Sequence, residues 1–213
     1  MGRIGVVNYD AGNLQSVETA LQHLGADFIV SSDPKVLDAA DKLIFPGVGE
    51  ARAAMDRLEH YGLDDFISQY HREGRYILGI CIGAQIILTR SEENDTGCLN
   101  LVEGTARKFP AVKGLKVPHM GWNTVHVKGE TDLFRGIPDG SSFYFVHSYY
   151  PSPENEEQTL AYTCYGIDFC SALRKGSLYA VQFHPEKSGK WGLQLLSNYI
   201  TGIGPDCTSA GEA

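Results

Sequence analysis

Residues 3–88 alternate short apolar runs with amphipathic stretches, and this alternation constrains the fold more than any other feature of the chain. Arg3 to Asn8, Phe28 to Val30, Lys42 to Phe45 and Tyr76 to Ile80 are rich in β-branched and aromatic residues and read as buried strands. Between the first two, Asn13 is a good N-cap, Leu14, Val17, Leu21 and Leu24 follow at helical spacing, and Gly25 supplies a stop. A short helix starts at Asp33-Pro34, another follows Glu50 through Met55 and Leu58, and a third covers Leu63 to His71. Strand and helix in alternation predict parallel strands joined by right-handed crossovers, with helices on both faces. The expectation is an α/β protein with a doubly wound, mixed and largely parallel sheet.

After Thr96 the texture changes. Strands are predicted at Thr105–Phe109, Val117–Met120, Thr124–Val127, Phe143–Val146, Thr159–Cys164, Phe169–Leu173 and Leu178–Phe183. Turn residues such as Gly104, Lys113-Gly114, Lys128-Gly129, Pro138-Asp139-Gly140 and Lys175-Gly176 separate them. This half is expected to be antiparallel and β-rich, packed on the same sheet, and Trp191–Ile200 gives a closing helix. Residues 202–213 are small and polar and are expected to fray, leaving one domain over 1–201.

The chemistry concentrates at Gly79-Ile80-Cys81-Ile82-Gly83, a G-x-C-x-G sequence between the fourth strand and a helix beginning near Ala84. A nucleophile at the tip of such a turn stands clear of the sheet, and the glycines admit the tight backbone it needs. Cys81 also fits a buried small hydrophobe, so the rest of the chain has to decide. Leu178 to Phe183 is a strand ending in His184-Pro185-Glu186. A cysteine nucleophile requires a base and an orienting group, and His184 and Glu186 supply both across one stiff proline. The backbone N–H of Ile82, and those of the Pro46-Gly47-Val48-Gly49-Glu50 loop at Val48 and Gly49, are candidate oxyanion donors. The loop and Cys81 fall at the carboxyl ends of parallel strands, where such sheets place their ligands.

Net charge is −8 over 213 residues, which argues against nucleic-acid or anionic-membrane binding. Neither a membrane-spanning apolar run nor a signal peptide is read in the sequence. The five cysteines form no C-x-x-C and no zinc spacing. We therefore expect a cytoplasmic protein with reduced cysteines and no metal or cofactor, in which Cys98, Cys164, Cys170 and Cys207 are structural or incidental.

With Gln85 added to the elbow and Gln182-Phe183 placed before His184-Pro185-Glu186, the chain resembles the class I (triad) glutamine amidotransferases. Four further segments, Asn8 to Val17, Pro46 to Glu50, Val117 to Asn123 and Phe143 to Tyr150, narrow the resemblance to one branch, and it covers residues 3 to 200. The resemblance implies a flavodoxin-like amidotransferase fold in which Cys81 attacks the side-chain amide of glutamine. His184 passes a proton to the leaving ammonia, Glu186 orients it, and Gly47, Gln85, His147, Ser148 and Tyr149 hold the glutamine. It further implies a heterodimer with a (β/α)8 cyclase subunit that turns the ammonia into imidazole glycerol phosphate and an aminoimidazole carboxamide ribotide in histidine biosynthesis. Asn13, Met120, Gly121, Trp122, Tyr144 and Lys187 would face that partner. Ile82 and Ala84 replace the Leu and Met common in the elbow, Glu50 stands where a small residue is frequent, and Asp10 departs from the family pattern.

Three rival readings stay open on the sequence. A stand-alone γ-glutamyl hydrolase or peptidase has the same triad but needs no exposed Met120–Trp122 surface. A paralogous subunit serving another acceptor differs only in its partner. A non-catalytic module would have lost part of Cys81, His184 and Glu186, and all three are present.

Overall fold

The strand–helix alternation of the first half is realised as a parallel sheet. The structure, a computed structural model, describes residues 2–10, 14–111 and 114–203. Strand β1 (Ile4–Val7), helix α1 (Leu14–His23), β2 (Phe28–Ser31), α2 (Pro34–Leu37), β3 (Lys42–Gly47), α3 (Ala51–Tyr61), α4 (Leu63–Arg72) and β4 (Tyr76–Cys81) follow in order. The expected turn at Ala11-Gly12, the N-cap Asn13, Lys113 and Cys207 lie outside the described residues. Asp33 caps α2 as its position predicts, its carboxylate accepting from the Lys35 N–H at 2.9 Å. Gly25 and Gly62 end helices with φ of 65°, the left-handed conformation a glycine adopts without strain.

The elbow helix α5 (Ile82–Ile86) has only five residues, so Leu88 begins strand β5 (Leu88–Ser91) and does not extend the helix. Strands β6 (Thr96–Gly97), β7 (Val102–Lys108), β8 (His119–Val127), β9 (Ser141–His147), β10 (Tyr149–Pro153), β11 (Thr159–Cys164), β12 (Asp168–Lys175) and β13 (Leu178–Val181) follow, then helix α6 (Gly189–Ser197). The two strands expected at Val117–Met120 and Thr124–Val127 are one continuous β8. The closing helix stops at Ser197 and widens into a turn over Asn198–Gly202, where Lys42 Nζ donates to the carbonyls of Tyr199 and Ile200. Ile203 still packs in the core, and residues 204–213 lie outside the described part.

Among the described residues nine strands form one sheet in the order β2-β1-β3-β4-β13-β12-β11-β8-β9, and four form a second in the order β10-β7-β5-β6. Pairs β2-β1, β1-β3, β3-β4 and β4-β13 are parallel, and the remainder of the large sheet is antiparallel. The mixed sheet agrees with the expectation, but the second half does not all join it. β4 is already paired on both sides, by β3 and β13, so the chain leaving α5 has no free edge beside it and builds the smaller sheet instead.

Parallel strands buried on both faces must be apolar at every position, and the register shows which face each residue serves. Ile4, Val6, Ile44, Leu78, Ile80 and Val181 join Val17 and Leu21 of α1 and Leu195 and Leu196 of α6. Val7, Leu43, Phe45, Ile77 and Leu178 join Met55 and Leu58 of α3 and Leu63 and Ile67 of α4. Two cores therefore hold the central sheet between them and fix β4 at its middle.

The elbow glycines are required by contact. A Cβ on Gly83 would lie 2.1 Å from the Phe45 carbonyl oxygen, and one on Gly79 would lie 3.0 Å from the Gly83 backbone. Gly83→Ala is therefore expected to destabilise the chain by about 2 kcal/mol or more, because the obstructing atom is backbone and cannot step aside. Thermal unfolding measures this, and an unchanged melting temperature would contradict the packing described.

Candidate active site

Cys81 is the last residue of β4, with φ 56° and ψ −106°. Among the described residues the other non-glycine positions with positive φ are Asp or Asn, types that tolerate it through local hydrogen bonds. Cys81 has no such excuse. Strain of this kind costs on the order of 1–3 kcal/mol and persists where the surroundings impose it. Here β4 and α5 impose it, leaving the side chain at the strand tip and 6% exposed.

The same register that pairs Ile80 with Val181 brings the residues after β13 alongside the elbow. His184 Nδ1 lies 2.7 Å from Glu186 Oε1, with both side chains almost wholly buried. The turn that holds them is locked twice. Ser188 Oγ donates to the His184 carbonyl at 2.6 Å and accepts from the Tyr144 N–H at 3.0 Å, while the His184 N–H donates to the Tyr144 carbonyl at 2.9 Å. His184 Nε2 is sealed from solvent without a well-formed hydrogen bond to the protein. Burial alone would lower the His184 pKa, but negative charge at Cys81, its hydrogen-bonding influence and the Glu186 carboxylate outweigh it and raise the ring to about 10. A contact that is loose in the resting protein and tightens with substrate is usual for a base beside its nucleophile.

The other described cysteines are held away from reactivity. Burial pushes Cys98 up to about 11 and Cys170 up to about 12, and Asp168 holds Cys164 above its ordinary value. Among the described residues no group of three or more His, Cys, Asp or Glu is placed to hold a metal ion.

A cavity of about 250 Å3 opens on Cys81, near the lower end of the usual range of about 300–1,000 Å3 for small-molecule sites. Val48, Gly49 and Ile82 line it, as do Gln85, His147, Ser148 and Tyr149. Gly47 does not. It closes β3 opposite Cys81, and its Cβ position is filled by the Tyr9 hydroxyl and Ile82 at 1.9 and 2.1 Å. Gln85 and His147 reach the wall with much of their polarity already spent. Gln85 Nε2 donates to the Tyr149 carbonyl at 2.8 Å and to Gln182 Oε1 at 2.9 Å, and His147 uses both ring nitrogens within the protein. A larger cavity of about 700 Å3, bounded by Thr131, Asp132, Arg135, Asp139 and Arg174, shares no lining residue with this one and contains none of the candidate residues.

The structure adds residues that the sequence reading did not assign. Glu93, from the short turn before β6, lines the cavity and caps α3 by accepting the Ala51 N–H at 2.8 Å. Burial pushes its carboxyl above the ordinary value, partly opposed by that N–H. Pro118 and Val146 complete the wall, and Gln182 Nε2 approaches Cys81 Sγ at 3.8 Å. Only a Gln two residues before His184 was legible in advance, without a role.

Of the residues assigned to a partner surface, Asn13 lies outside the described part. Met120 and Trp122 are 62% and 58% exposed, Tyr144 and Lys187 are half-buried, and the Tyr144 ring meets Trp122 edge-on at 6.1 Å. Trp122 is therefore a surface residue and not part of the core.

If charge at Cys81 is what raises His184, then Cys81→Ala must lower the His184 pKa, and Glu186→Gln must lower it as well. Histidine titration by NMR reads both; an unchanged value in Cys81→Ala would mean that the two groups do not interact.

The glutamine amidotransferase class-I family model matches residues 6–201. The chain is 44% identical over 216 residues to the imidazole glycerol phosphate synthase subunit HisH of Nitratidesulfovibrio vulgaris (strain DP4), covering 99% of each. It is 47% identical over 207 residues to subunit HisH 1 of Pseudomonas aeruginosa (strain PAO1), covering 94% of this chain and 97% of that one. The structure of PurLQS from Thermotoga maritima shares the fold, with a TM-score of 0.71 at 16% identity over 96% of this chain and all of that one. With a strained cysteine, a buried His–Glu pair and a near-full-length family match in agreement, the chain belongs to the class-I glutamine amidotransferases, among the HisH-type subunits.

Proposed function

We propose that the chain is the glutaminase subunit of an imidazole glycerol phosphate synthase. The observation that carries the chemistry is the strained Cys81 at one cavity wall, with the His184–Glu186 pair beside it. The near-full-length likeness to HisH subunits carries the pathway. Cys81 Sγ attacks the side-chain amide carbon of glutamine, and the tetrahedral oxyanion takes N–H groups of Ile82 and of Val48 or Gly49. His184, held by Glu186, gives a proton to the departing ammonia. Water then attacks the γ-glutamyl thioester, with His184 accepting its proton, and glutamate leaves. Among the described residues Glu93 is the only carboxylate lining the cavity, so it is the natural partner for the substrate's α-ammonium, which would offset the cost of burying that carboxyl.

The ammonia goes to a (β/α)8 cyclase bound as a heterodimer in the cytoplasm, which makes imidazole glycerol phosphate and an aminoimidazole carboxamide ribotide. Support for the docking face comes from its position. Trp122 and Met120 on β8 pair across to Tyr144 and Val146 on β9. Val146 lines the cavity, and the Tyr144 carbonyl accepts from the His184 N–H, so the exposed pair sits one strand from the chemistry. Exposed aromatics of this kind act as anchors in interfaces. Gly49, with φ 108° and open space around it, lets the peptide after Val48 turn its N–H toward or away from the oxyanion at little cost, so the partner can complete the site.

Glutamine hydrolysis by the isolated chain should rise on the order of 10²–10³-fold in the ligand-loaded complex, the value of one oxyanion donor. In that complex Cys81→Ala should abolish turnover while binding the cyclase as the wild type does. Equal activity with and without the cyclase favours the stand-alone hydrolase, and turnover surviving in Cys81→Ala removes the mechanism. Trp122→Ala should weaken the complex by roughly 2 kcal/mol or more, about thirtyfold in Kd by calorimetry; unchanged affinity would mean that this face is not the interface.

A further inference from the structure

Behind the cavity wall runs a chain of hydrogen bonds that the reaction itself does not use. It begins on β8. Asn123 Nδ2 lies 3.2 Å from His119 Nε2, His119 Nδ1 lies 2.9 Å from His147 Nε2, and His147 Nδ1 lies 2.7 Å from the Tyr149 carbonyl. Its direction is forced. A carbonyl oxygen only accepts, so His147 Nδ1 carries the hydrogen. In a neutral ring Nε2 is then a bare acceptor, so His119 Nδ1 must donate to it. His119 Nε2 is bare in turn and accepts from the Asn123 amide, which also donates to the Cys164 carbonyl at 3.0 Å, while Asn123 Oδ1 accepts from the Thr124 N–H at 2.8 Å.

Both rings are buried, and burial pushes His119 down to about 4 and His147 down to about 3, so both are neutral under ordinary conditions. His119 is clamped between the rings of Phe145 and Tyr165, with centroids 4.8 and 3.9 Å away. The Tyr149 carbonyl also accepts from Gln85 Nε2, whose amide donates to Gln182 Oε1, and Gln182 Nε2 reaches toward Cys81 Sγ. One carbonyl thus joins the histidine chain to the nucleophile's neighbours.

We propose that His119 is a positioning residue for the glutamine site: its Nδ1–H holds His147 in the tautomer that fixes the Tyr149 carbonyl, and with it the wall His147–Ser148–Tyr149. This rests on the reading above that the wall holds glutamine. His119 does not line the cavity, so its effect is on the fit of the substrate and not on the bonds that break. The exposed Met120 and Trp122 alternate with His119 and Asn123 along β8, so one strand carries the docking face outward and this anchor inward.

Two measurements test it on the full chain in complex with its cyclase. His119→Phe keeps a ring in the aromatic clamp but leaves His147 Nε2 unpaired in a buried site, which is unfavourable. It should raise the KM for glutamine about tenfold, with kcat within about threefold, since 1.4 kcal/mol is a factor of ten. His119→Asn returns an N–H near the lost Nδ1 and should bring KM back to within about threefold of wild type. A wild-type KM in His119→Phe, or equal loss in both variants, overturns the proposal. The second measurement needs no variant. In wild-type protein, 15N NMR of the imidazoles should show hydrogen on Nδ1 and none on Nε2 for both His119 and His147, without titration from about pH 5 to about pH 9. Hydrogen on Nε2 of His147, or its titration in that range, overturns the proposal even if His119→Phe fails to fold. If wild-type complex does not hydrolyse glutamine, the reading of the site fails, and the NMR still decides the hydrogen-bond chain.

Discussion

The rest of the structure depends on one close approach, the Gly83 backbone against the carbonyl of Phe45. With no Cβ at Gly83, α5 lies directly on the end of β3, and with none at Gly79 the turn folds back on β4. Together they force Cys81 into φ 56° and ψ −106°, a conformation its own side chain disfavours. The energy that holds it there comes from the two apolar cores pressing on the central strands. The placement of the Cys81 side chain is in this way made a consequence of sheet packing, and it is as rigid as the sheet.

His184 is delivered beside Cys81 by the same sheet from the far end of the chain. β13 pairs in parallel with β4, so the backbone after Val181 leaves the sheet on the rim where Cys81 stands. Ser188 and Tyr144 then fix the turn, and Glu186 fixes the ring of His184. The His147–Ser148–Tyr149 wall of the cavity arrives by a third route, from the β9–β10 junction, and Glu93 by a fourth. β3, β4 and β13 are parallel and end at one rim, which gathers Val48, Cys81 and His184 there, while the β9–β10 junction and the Glu93 turn reach it from the antiparallel edge and the smaller sheet.

Cys81, His184 and Glu186, proposed as nucleophile, base and orienting carboxylate, were legible in the sequence, because each sits in a short motif whose spacing brings such groups together. Parallel strands of the first half were legible too, since continuous β-branched runs flanked by helical spacing have few other uses. The smaller sheet was not. Nothing local in Leu88–Ser91 distinguishes a strand from the rest of a helix beginning near Ala84; the answer comes from β4 having no free edge. Gly47 was assigned to the glutamine on motif grounds; the structure packs its Cβ position against Tyr9 and Ile82, a contact no local pattern displays. Glu93 and the His119–His147 pair were invisible, because their partners lie in other elements: Ala51, 42 residues away, for Glu93, and the neighbouring strand for His119.

The central claim is that Cys81 alone forms the covalent bond to substrate. The direct measurement is to incubate the protein with a glutamine-like electrophile carrying a diazoketone and map the adduct by peptide mass spectrometry. The account predicts one adduct, on the peptide containing Cys81, with glutamine protecting against it. An adduct on Cys98, Cys164, Cys170 or Cys207 instead, or continued glutamine turnover after Cys81 is fully modified, would contradict it.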